Sequence, residues 1–246
     1  MIDYRVTFPR VVRAEWTKLA ALRSTWIVLG LVAVLTVALA GVIGANQHRA
    51  RVGDAFLGID LFSLVLGVFG ILMVTGEFGS GLARATFAAV PRRLPVLWAK
   101  AVVLAGTTAP VLMATCAAAF WANRAFAGVS GAAEPEALRA TLGAAAAPVG
   151  LALLGLGLGA VVRHTTAAIT VYVLAMLVLP ALLQAALPAD AGDHVIRYVP
   201  VAAAQGLYAV GNPFRMPSPA PAALTLLAWV LTFLAAGGLM LWRRDP

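Results

Sequence analysis

The sequence predicts an all-α, polytopic membrane protein, a single transmembrane domain that crosses the bilayer six times. Of its 246 residues, 62% are hydrophobic and only 11% are charged, whereas soluble domains contain about 25% charged residues. The apolar residues form six long runs, and short segments that hold most of the charges separate them. Each run is long enough to cross about 30 Å of hydrocarbon as a helix. The predicted spans are 26–45, 56–76, 94–121, 138–162, 167–187 and 222–242.

Residues 1–25 are basic and predict a helix at the membrane surface, before the first span. Thr7 is a suitable N-cap, and Pro9 suits the first turn of a helix. Glu15 and Arg23 interrupt its apolar face, and we expect them either to extend to water or to contact a partner at the membrane surface. We therefore predict a cytoplasmic amphipathic helix over Phe8–Trp26, with its tryptophans at headgroup depth. At helical spacing its apolar face comprises Phe8, Val12, Trp16, Leu19 and Trp26, opposite Arg10 and Arg13.

The first two spans enclose a short polar loop over residues 46–55. Ala38-Leu39-Ala40 resembles a signal-peptide cleavage site, but the apolar run continues past it, so we interpret residues 26–45 as a span. The second span carries Asp60 about one turn from its outer end. An ionisable residue within a span is a functional candidate, although one so near the end can also extend to the interface.

The segment 77–93, between the second and third spans, belongs to the most charged internal part of the sequence. Gly79-Ser80-Gly81 breaks the preceding helix. Pro91 ends the stretch that follows, because a proline disfavours the helical conformation in the residue before it. We predict a short helix over Leu82–Ala89, outside the bilayer. Leu82, Thr86 and Ala89 share one of its faces, with Phe87 beside them, while Arg84 points elsewhere.

The later spans contain prolines and glycines that predict local features. Pro110 predicts a kink in the third span, and Pro148 a kink or a break in the fourth. Gly155 and Gly159 allow another helix to approach closely, either within one chain or in a dimer. After the fifth span, interrupted by Pro180, the segment 188–221 is predicted to form an outer loop. Its apolar part, 199–210, is too short to cross the membrane and suits a re-entrant or interfacial helix.

The distribution of Lys and Arg predicts the orientation. Twelve of the eighteen lie on the side that contains the N-terminus, the segment 77–93 with Lys100, the basic turn at Arg163 and the C-terminus. The positive-inside rule places that side in the cytoplasm. We therefore predict six spans with both termini and the segment 77–93 cytoplasmic.

The sequence lacks the motifs of several function classes. It contains no G-x-x-x-x-G-K-[ST], and so no P-loop of its own, and neither G-x-S-x-G nor H-E-x-x-H. One cysteine, Cys116, excludes an intrachain disulfide, and three histidines in separate loops do not predict a zinc site. The net charge of +8 lies at the ends of spans, which argues against nucleic-acid binding. The middle of the spans is nearly free of ionisable groups, which suits a hydrophobic or amphipathic substrate better than an ion.

Three parts of the sequence have a recognisable order. The loop after the second span begins with Glu and continues with Gly and a basic residue, and it ends with Pro and Arg before a Lys. The opening stretch Arg13–Trp26 and the stretch Arg197–Pro200 accompany it. Together they resemble the membrane subunit of ABC-2 type ABC transporters, and the opening is similar to that of actinobacterial permeases. The loop positions are Glu77, Gly81, Arg84, Pro91, Arg92, Arg93 and Lys100.

The resemblance implies a permease subunit of an ATP-driven exporter in a bacterial cytoplasmic membrane. Two such subunits, as a homodimer or a heterodimer, would dock on separate ATP-binding subunits. Those partners would hold ATP and Mg²⁺, so the chain binds no cofactor directly and is not itself an enzyme. Leu82–Ala89 would be the coupling helix, and Phe8–Trp26 the interface helix with Glu15, Trp16, Lys18 and Arg23. The implied coupling residues are Glu77, Gly79, Gly81, Leu82, Arg84, Thr86, Phe87, Pro91, Arg92 and Arg93.

Two points stay open at this stage. Glu77 has three candidate partners: Arg84, Arg92 and a base of the interface helix. Arg92 and Arg93 either contact the ATPase or only enforce topology, and the two roles can coexist. The alternatives from other classes are a transporter or channel that acts alone, and a membrane-embedded enzyme acting on lipid, which needs a polar cluster at one depth.

Overall fold

The computed structural model describes residues 7–47, 52–82, 93–128, 135–211 and 216–243. Within these ranges the chain is almost entirely helical and contains no strand. A 3-10 turn, Val52–Phe56, precedes the third helix, and a π turn, Leu174–Val178, separates the sixth from the seventh. The helices are α1 (Phe8–Ala21), α2 (Arg23–Ala45), α3 (Ile59–Gly79), α4 (Arg93–Phe126), α5 (Pro135–Val162), α6 (Thr165–Val173), α7 (Leu179–Ala186), α8 (Ala189–Ile196), α9 (Pro200–Tyr208) and α10 (Pro219–Arg243).

Six helical segments in the described ranges are long and apolar enough to cross a membrane, which identifies a multi-pass membrane protein. They comprise α2, the 3-10 turn with α3, α4, α5, the α6–α7 segment and α10. A long apolar helical segment is therefore present at each of the six predicted spans, and its ends lie within a few residues of the predicted ones. The apolar stretch predicted over 199–210 contains α9, a helix far too short to cross a bilayer.

The predicted single helix over Phe8–Trp26 is wrong, because α1 and α2 are separate helices. Leu22, between them, is extended, with φ −81° and ψ 108°, which ends the helical hydrogen bonding. Thr7 is the N-cap of α1 and Pro9 lies in its first turn, as predicted, but the Thr7 side chain makes no capping bond. The predicted apolar face is therefore divided between two helices, and Trp26 belongs to α2.

The fifth helix, α5, lies at the centre of the bundle. In its most apolar stretch 67% of the residues are buried, compared with 17% in the α6–α7 span. It packs on α3, α4, α9 and α10. Both α4 and α5 continue unbroken through their internal prolines, so the break considered at Pro148 is absent.

Glycines allow α5 to approach its neighbours closely. A Cβ atom on Gly155 would lie 2.1 Å from the carbonyl oxygen of Gly67, and one on Gly159 would lie 3.0 Å from that of Ile71. Both neighbours belong to α3. Of the two alternatives for Gly155 and Gly159, the structure has close packing within one chain.

Contacts between helix ends define two ends of the bundle. Arg163, in the turn between α5 and α6, donates to the carbonyl oxygen of Met240 at 2.6 Å and lies over the ring of Phe78. These contacts bring the end of α3, the Arg163 turn and the end of α10 together. We call this the Glu77 end, after the residue in the last turn of α3.

The opposite end is built around α9. Arg139, near the start of α5, donates to the carbonyl oxygens of Leu207 at 3.2 Å and Ala209 at 2.9 Å. We call this the Arg139 end. The helix ends group in the same two sets that the charge distribution predicted.

Candidate functional site

Four charged side chains from three helices form a closed cluster at the Glu77 end. Lys100 Nζ lies 2.6 Å from Glu15 Oε2 and 2.8 Å from Glu77 Oε1. Lys18 Nζ lies 2.8 Å from Glu15 Oε1 and 2.9 Å from Glu77 Oε1. Each lysine therefore bridges both carboxylates, and the two charges of each sign cancel. We call these four residues the charge cluster.

The charge cluster extends from the protein interior to the surface. Glu15 is 2% exposed and Lys100 is 4% exposed, whereas the Lys18 side chain is 40% exposed. Buried charges are tolerated when they are paired and hydrogen-bonded. The geometry meets this condition for Glu15, because each of its carboxylate oxygens accepts a hydrogen bond from a different ammonium group.

Helical spacing positions the members of the charge cluster. Glu15 lies between Val11 and Leu19 on the buried side of α1. The spacing of four residues places these three side chains one above the other. This side packs on α4, where the small Ala99 precedes Lys100. Glu77 lies in the last turn of α3, and the charge cluster therefore fastens α1 to both α3 and α4.

Lys18, at the exposed edge of the charge cluster, stays protonated at neutral pH. Burial disfavours the ammonium form of Lys18, but hydrogen bonds to Glu15 and Glu77 and the negative charges of these carboxylates outweigh this effect. The pKa of Lys18 is consequently raised above its ordinary value of 10.5. Lys18 therefore remains protonated and keeps its ion pairs.

The helix α3 ends in a glycine turn immediately after Glu77. Ser80 is the C-cap, and its N–H donates to the carbonyl oxygen of Gly76 at 3.1 Å. Gly81 has φ +76°, a left-handed conformation that favours glycine at the end of a helix. The predicted break is therefore present and lies at Gly81, whereas Gly79 is still helical with open space around it. Leu82, which follows, is 56% exposed.

Most of the predicted coupling helix lies outside the described residues. Arg84, Thr86 and Phe87 of this helix lie outside them, and so do the coupling residues Pro91 and Arg92 that follow it. Arg93 is described only as the first residue of α4. The structure nevertheless fixes both ends of the segment: α3 leads into it, and α4 leads out of it. The charge cluster therefore joins the two helices that border residues 83–92.

The residues predicted on the interface helix have different environments. The expectation that Glu15 extends to water or contacts a partner is wrong, because Lys100 supplies a buried countercharge. Among the candidates for Glu77, a base of the interface helix, Lys18, is a partner in the structure. Trp16 is 43% exposed, and Arg23, also exposed, is the first residue of α2.

Sequence reasoning did not connect Lys100 with Glu15, which are 85 positions apart. A signal was present: Lys18 and Lys100 are the only lysines in the chain, and all other cations are arginines. Lys100 also stands alone in an apolar span, as Glu15 does on an apolar helix face. Two isolated, opposite charges in apolar surroundings are candidates for one another's partner.

The described residues contain no group of three or more His, Cys, Asp or Glu side chains placed to hold a metal ion. His164 serves instead as the N-cap of α6, where its Nδ1 accepts the N–H of Ala167 at 3.3 Å. Cys116 is buried in α4. No protein-family model and no curated protein matches this chain, and its resemblance to ABC-2 permeases therefore stays a prediction from its own residues.

Proposed function

We propose that the chain is the permease subunit of an ATP-driven exporter and that a separate ATP-binding subunit supplies the energy. The substrate would be hydrophobic or amphipathic, because the helices that cross the membrane are apolar along most of their length. The Glu77 end would face the cytoplasm of a bacterial cell. Two permease subunits, identical or merely similar, would pair on two ATP-binding subunits, which would carry ATP and Mg²⁺.

The charge cluster carries this proposal. A motor subunit that displaces the segment 83–92 must move α3 and α4 to affect the membrane domain. Glu77 of α3 and Lys100 of α4 contact each other at 2.8 Å. Glu77 also contacts Lys18 of α1, and Lys100 also contacts Glu15 of α1. A displacement applied at this segment would therefore reach α1, α3 and α4 together.

Binding of the partner can be tested by co-expressing this chain with any ATP-binding protein that a neighbouring gene encodes. We expect the two proteins to co-purify. Arg84→Glu places a like charge against any acidic site that Arg84 binds, which costs several kcal/mol. The Kd for the ATPase should rise by at least about tenfold, equivalent to ~1.4 kcal/mol. Replacing Leu82–Ala89 by Gly and Ser should abolish both co-purification and ATP-driven transport.

Arg49→Glu is the matched control, because it reverses an arginine in a loop predicted to lie on the other side of the membrane. It should leave co-purification unchanged. Unaltered binding and transport in the Arg84→Glu protein and in the Gly-Ser protein would exclude the coupling role of this segment. Substrate transport by the purified chain in liposomes without any ATPase would instead identify a transporter or channel that acts alone.

The charge cluster can be tested separately from docking. Lys18→Met removes its most exposed member and leaves the contacts between Lys100 and the two carboxylates. We expect the ATPase to bind as before, while transport per ATP hydrolysed falls. Equal transport by the Lys18→Met and wild-type proteins would show that the charge cluster only stabilises the fold.

A further inference from the structure

A carboxylate at the Arg139 end accepts hydrogen bonds from two neutral side chains. Asp60 lies in the first turn of α3, and both of its oxygens accept hydrogen bonds from α9. Gln205 Nε2 donates to Oδ2 at 2.9 Å, and the Tyr208 hydroxyl donates to Oδ1 at 2.5 Å. No cation in the described part of the chain forms an ion pair with Asp60. This carboxylate therefore differs from Glu15 and Glu77, which both contact lysines.

Asp60 lines a cavity of about 550 Å³ between α3, the α6–α7 span and the helices α8 and α9. This volume lies within the range of about 300–1,000 Å³ that is typical of small-molecule sites. Most of the wall is apolar, and its polar members include Gln184 and Gln205. Arg197 also lines the cavity, and it makes an interaction of its own.

One residue that lines the cavity carries a buried polar group without a hydrogen-bond partner. Tyr172 is fully buried, and its hydroxyl makes no hydrogen bond. Tyr172 and Met176 line this cavity and also a second one of about 230 Å³, whose other lining residues are almost all apolar. The two cavities therefore share a wall, and an apolar space continues behind it.

Irregular backbone borders the same cavity. Met176 and Leu177 belong to the π turn between α6 and α7, and Pro180 follows it. Proline lacks an N–H and its ring displaces the carbonyl four residues earlier, here that of Met176. π turns inside helices occur frequently at functional sites. A flexible, polarisable Met side chain at this position adapts readily to apolar ligands of different shape.

We propose that this cavity binds an amphipathic organic cation, with its charged group beside Asp60 and its apolar body against Met176 and Leu177. A carboxylate in apolar surroundings is stabilised by a cation more than by neutral donors. The cavity supplies such a carboxylate, together with walls that are mostly apolar. This inference does not depend on the proposed function, because binding is a property of the chain alone.

Two probes of nearly equal size and shape but opposite charge test the inference: tetraphenylphosphonium and tetraphenylborate. Saturable binding is measured with the purified full-length chain in dodecyl maltoside micelles, whose headgroups are uncharged, without ATP or any ATPase. We expect the cation to bind and the anion to bind at least about tenfold more weakly. Asp60→Asn keeps an acceptor for Tyr208 and removes the charge. It should weaken binding of the cation at least about tenfold, equivalent to ~1.4 kcal/mol.

Glu136→Gln is the matched control, since it removes an exposed carboxylate from the same end of the bundle, outside the cavity. It should leave binding unchanged. Ala181→Trp, at an exposed position in the wall, fills the cavity while Asp60 stays intact, and it should also abolish binding. This second variant decides the matter if Asp60→Asn fails to fold.

Three results would overturn the inference: no saturable binding of the cation, equal binding of both ions, or full affinity in both Asp60→Asn and Ala181→Trp. Repeating the measurement with phosphatidylethanolamine added to the micelles identifies the natural source of the cation. Competition by this lipid would indicate an amine headgroup, whereas its absence would indicate a free amphipathic cation. Failure to bind an ATPase would leave all of these results unaffected.

Discussion

Glu15 is stable in the interior only because two ammonium groups neutralise it. A carboxylate that is 2% exposed has lost nearly all of its hydration, and its contacts with Lys100 at 2.6 Å and Lys18 at 2.8 Å replace that hydration. Such an ion pair is not by itself more stable than an apolar pair of the same volume. Removing only one partner of the ion pair is nevertheless costly, because the charge of the other partner remains buried.

This asymmetry gives a prediction for the charge cluster. Lys100→Met should lower the free energy of unfolding by about 3–5 kcal/mol, because Glu15 then retains only the half-exposed Lys18. Glu15→Gln should also destabilise the protein. The double variant should be more stable than the sum of the two single effects by about 0.5–3 kcal/mol. Chemical denaturation in detergent micelles, followed by circular dichroism, measures all four corners of this cycle.

Glu136→Gln is the control for this cycle, since it removes an exposed carboxylate. It should change the free energy of unfolding by less than about 0.5 kcal/mol. Strictly additive effects of Glu15→Gln and Lys100→Met would show that the two side chains do not interact in the folded protein.

At the scale of helices, the close contact between α3 and α5 depends on glycines, which have no side chain. Gly70 approaches the carbonyl oxygen of Ala152, and Gly155 approaches that of Gly67. These neighbours are backbone atoms, which cannot rotate away as a side chain can. Any Cβ at either position would therefore separate the two helices.

Gly155→Ala should destabilise the protein by about 1–3 kcal/mol, the usual cost of overpacking. Gly106→Ala is the matched control, because Gly106 also lies inside an apolar helix but has nothing within 4 Å of an added Cβ. Ala exceeds Gly in helix propensity by up to about 1 kcal/mol, so this variant should be as stable as the wild type or slightly more so. Equal thermal midpoints for Gly155→Ala and wild type would contradict the close packing of α3 and α5.

The helices themselves were largely predictable because hydropathy is a local property. Each span is apolar, and its length must match the thickness of the bilayer. Residues 26–45 or 222–242 can therefore be recognised as spans without any tertiary information. The break at Leu22 was not predictable, because neither Gly nor Pro marks it. The π turn before Pro180 was predictable only in part: a proline indicates that the helix is irregular there, but not which irregular structure forms.

The candidate site was predictable only in part because its contacts are distant in sequence. Glu77, Glu15 and Lys18 were singled out as charged residues beside apolar segments. The contact of Glu15 with Lys100 requires knowledge of which face of α1 packs on which turn of α4. Periodicity gives the face of a helix but not its neighbour, so a buried ion pair was interpreted as a surface charge.

At the scale of the whole molecule, the contacts and the charges give the same division into two ends. Six crossings return the chain to the side on which it began, and the end of α10 indeed lies near the Arg163 turn. The choice of the cytoplasmic end has a separate physical origin. That choice rests on the distribution of Lys and Arg, which follows from insertion and not from packing.

Cysteine labelling in intact bacterial cells tests the orientation. The chain has one cysteine, Cys116, which is buried in α4 and should not react with a membrane-impermeant maleimide. Ser80→Cys introduces an exposed thiol at the Glu77 end, and Glu136→Cys introduces one at the Arg139 end. We expect Glu136→Cys to be labelled in intact cells and Ser80→Cys only after the membrane is permeabilised. The reverse pattern would place residues 83–92 outside the cell, where no cytoplasmic ATPase could bind them, and the proposed function would then be wrong.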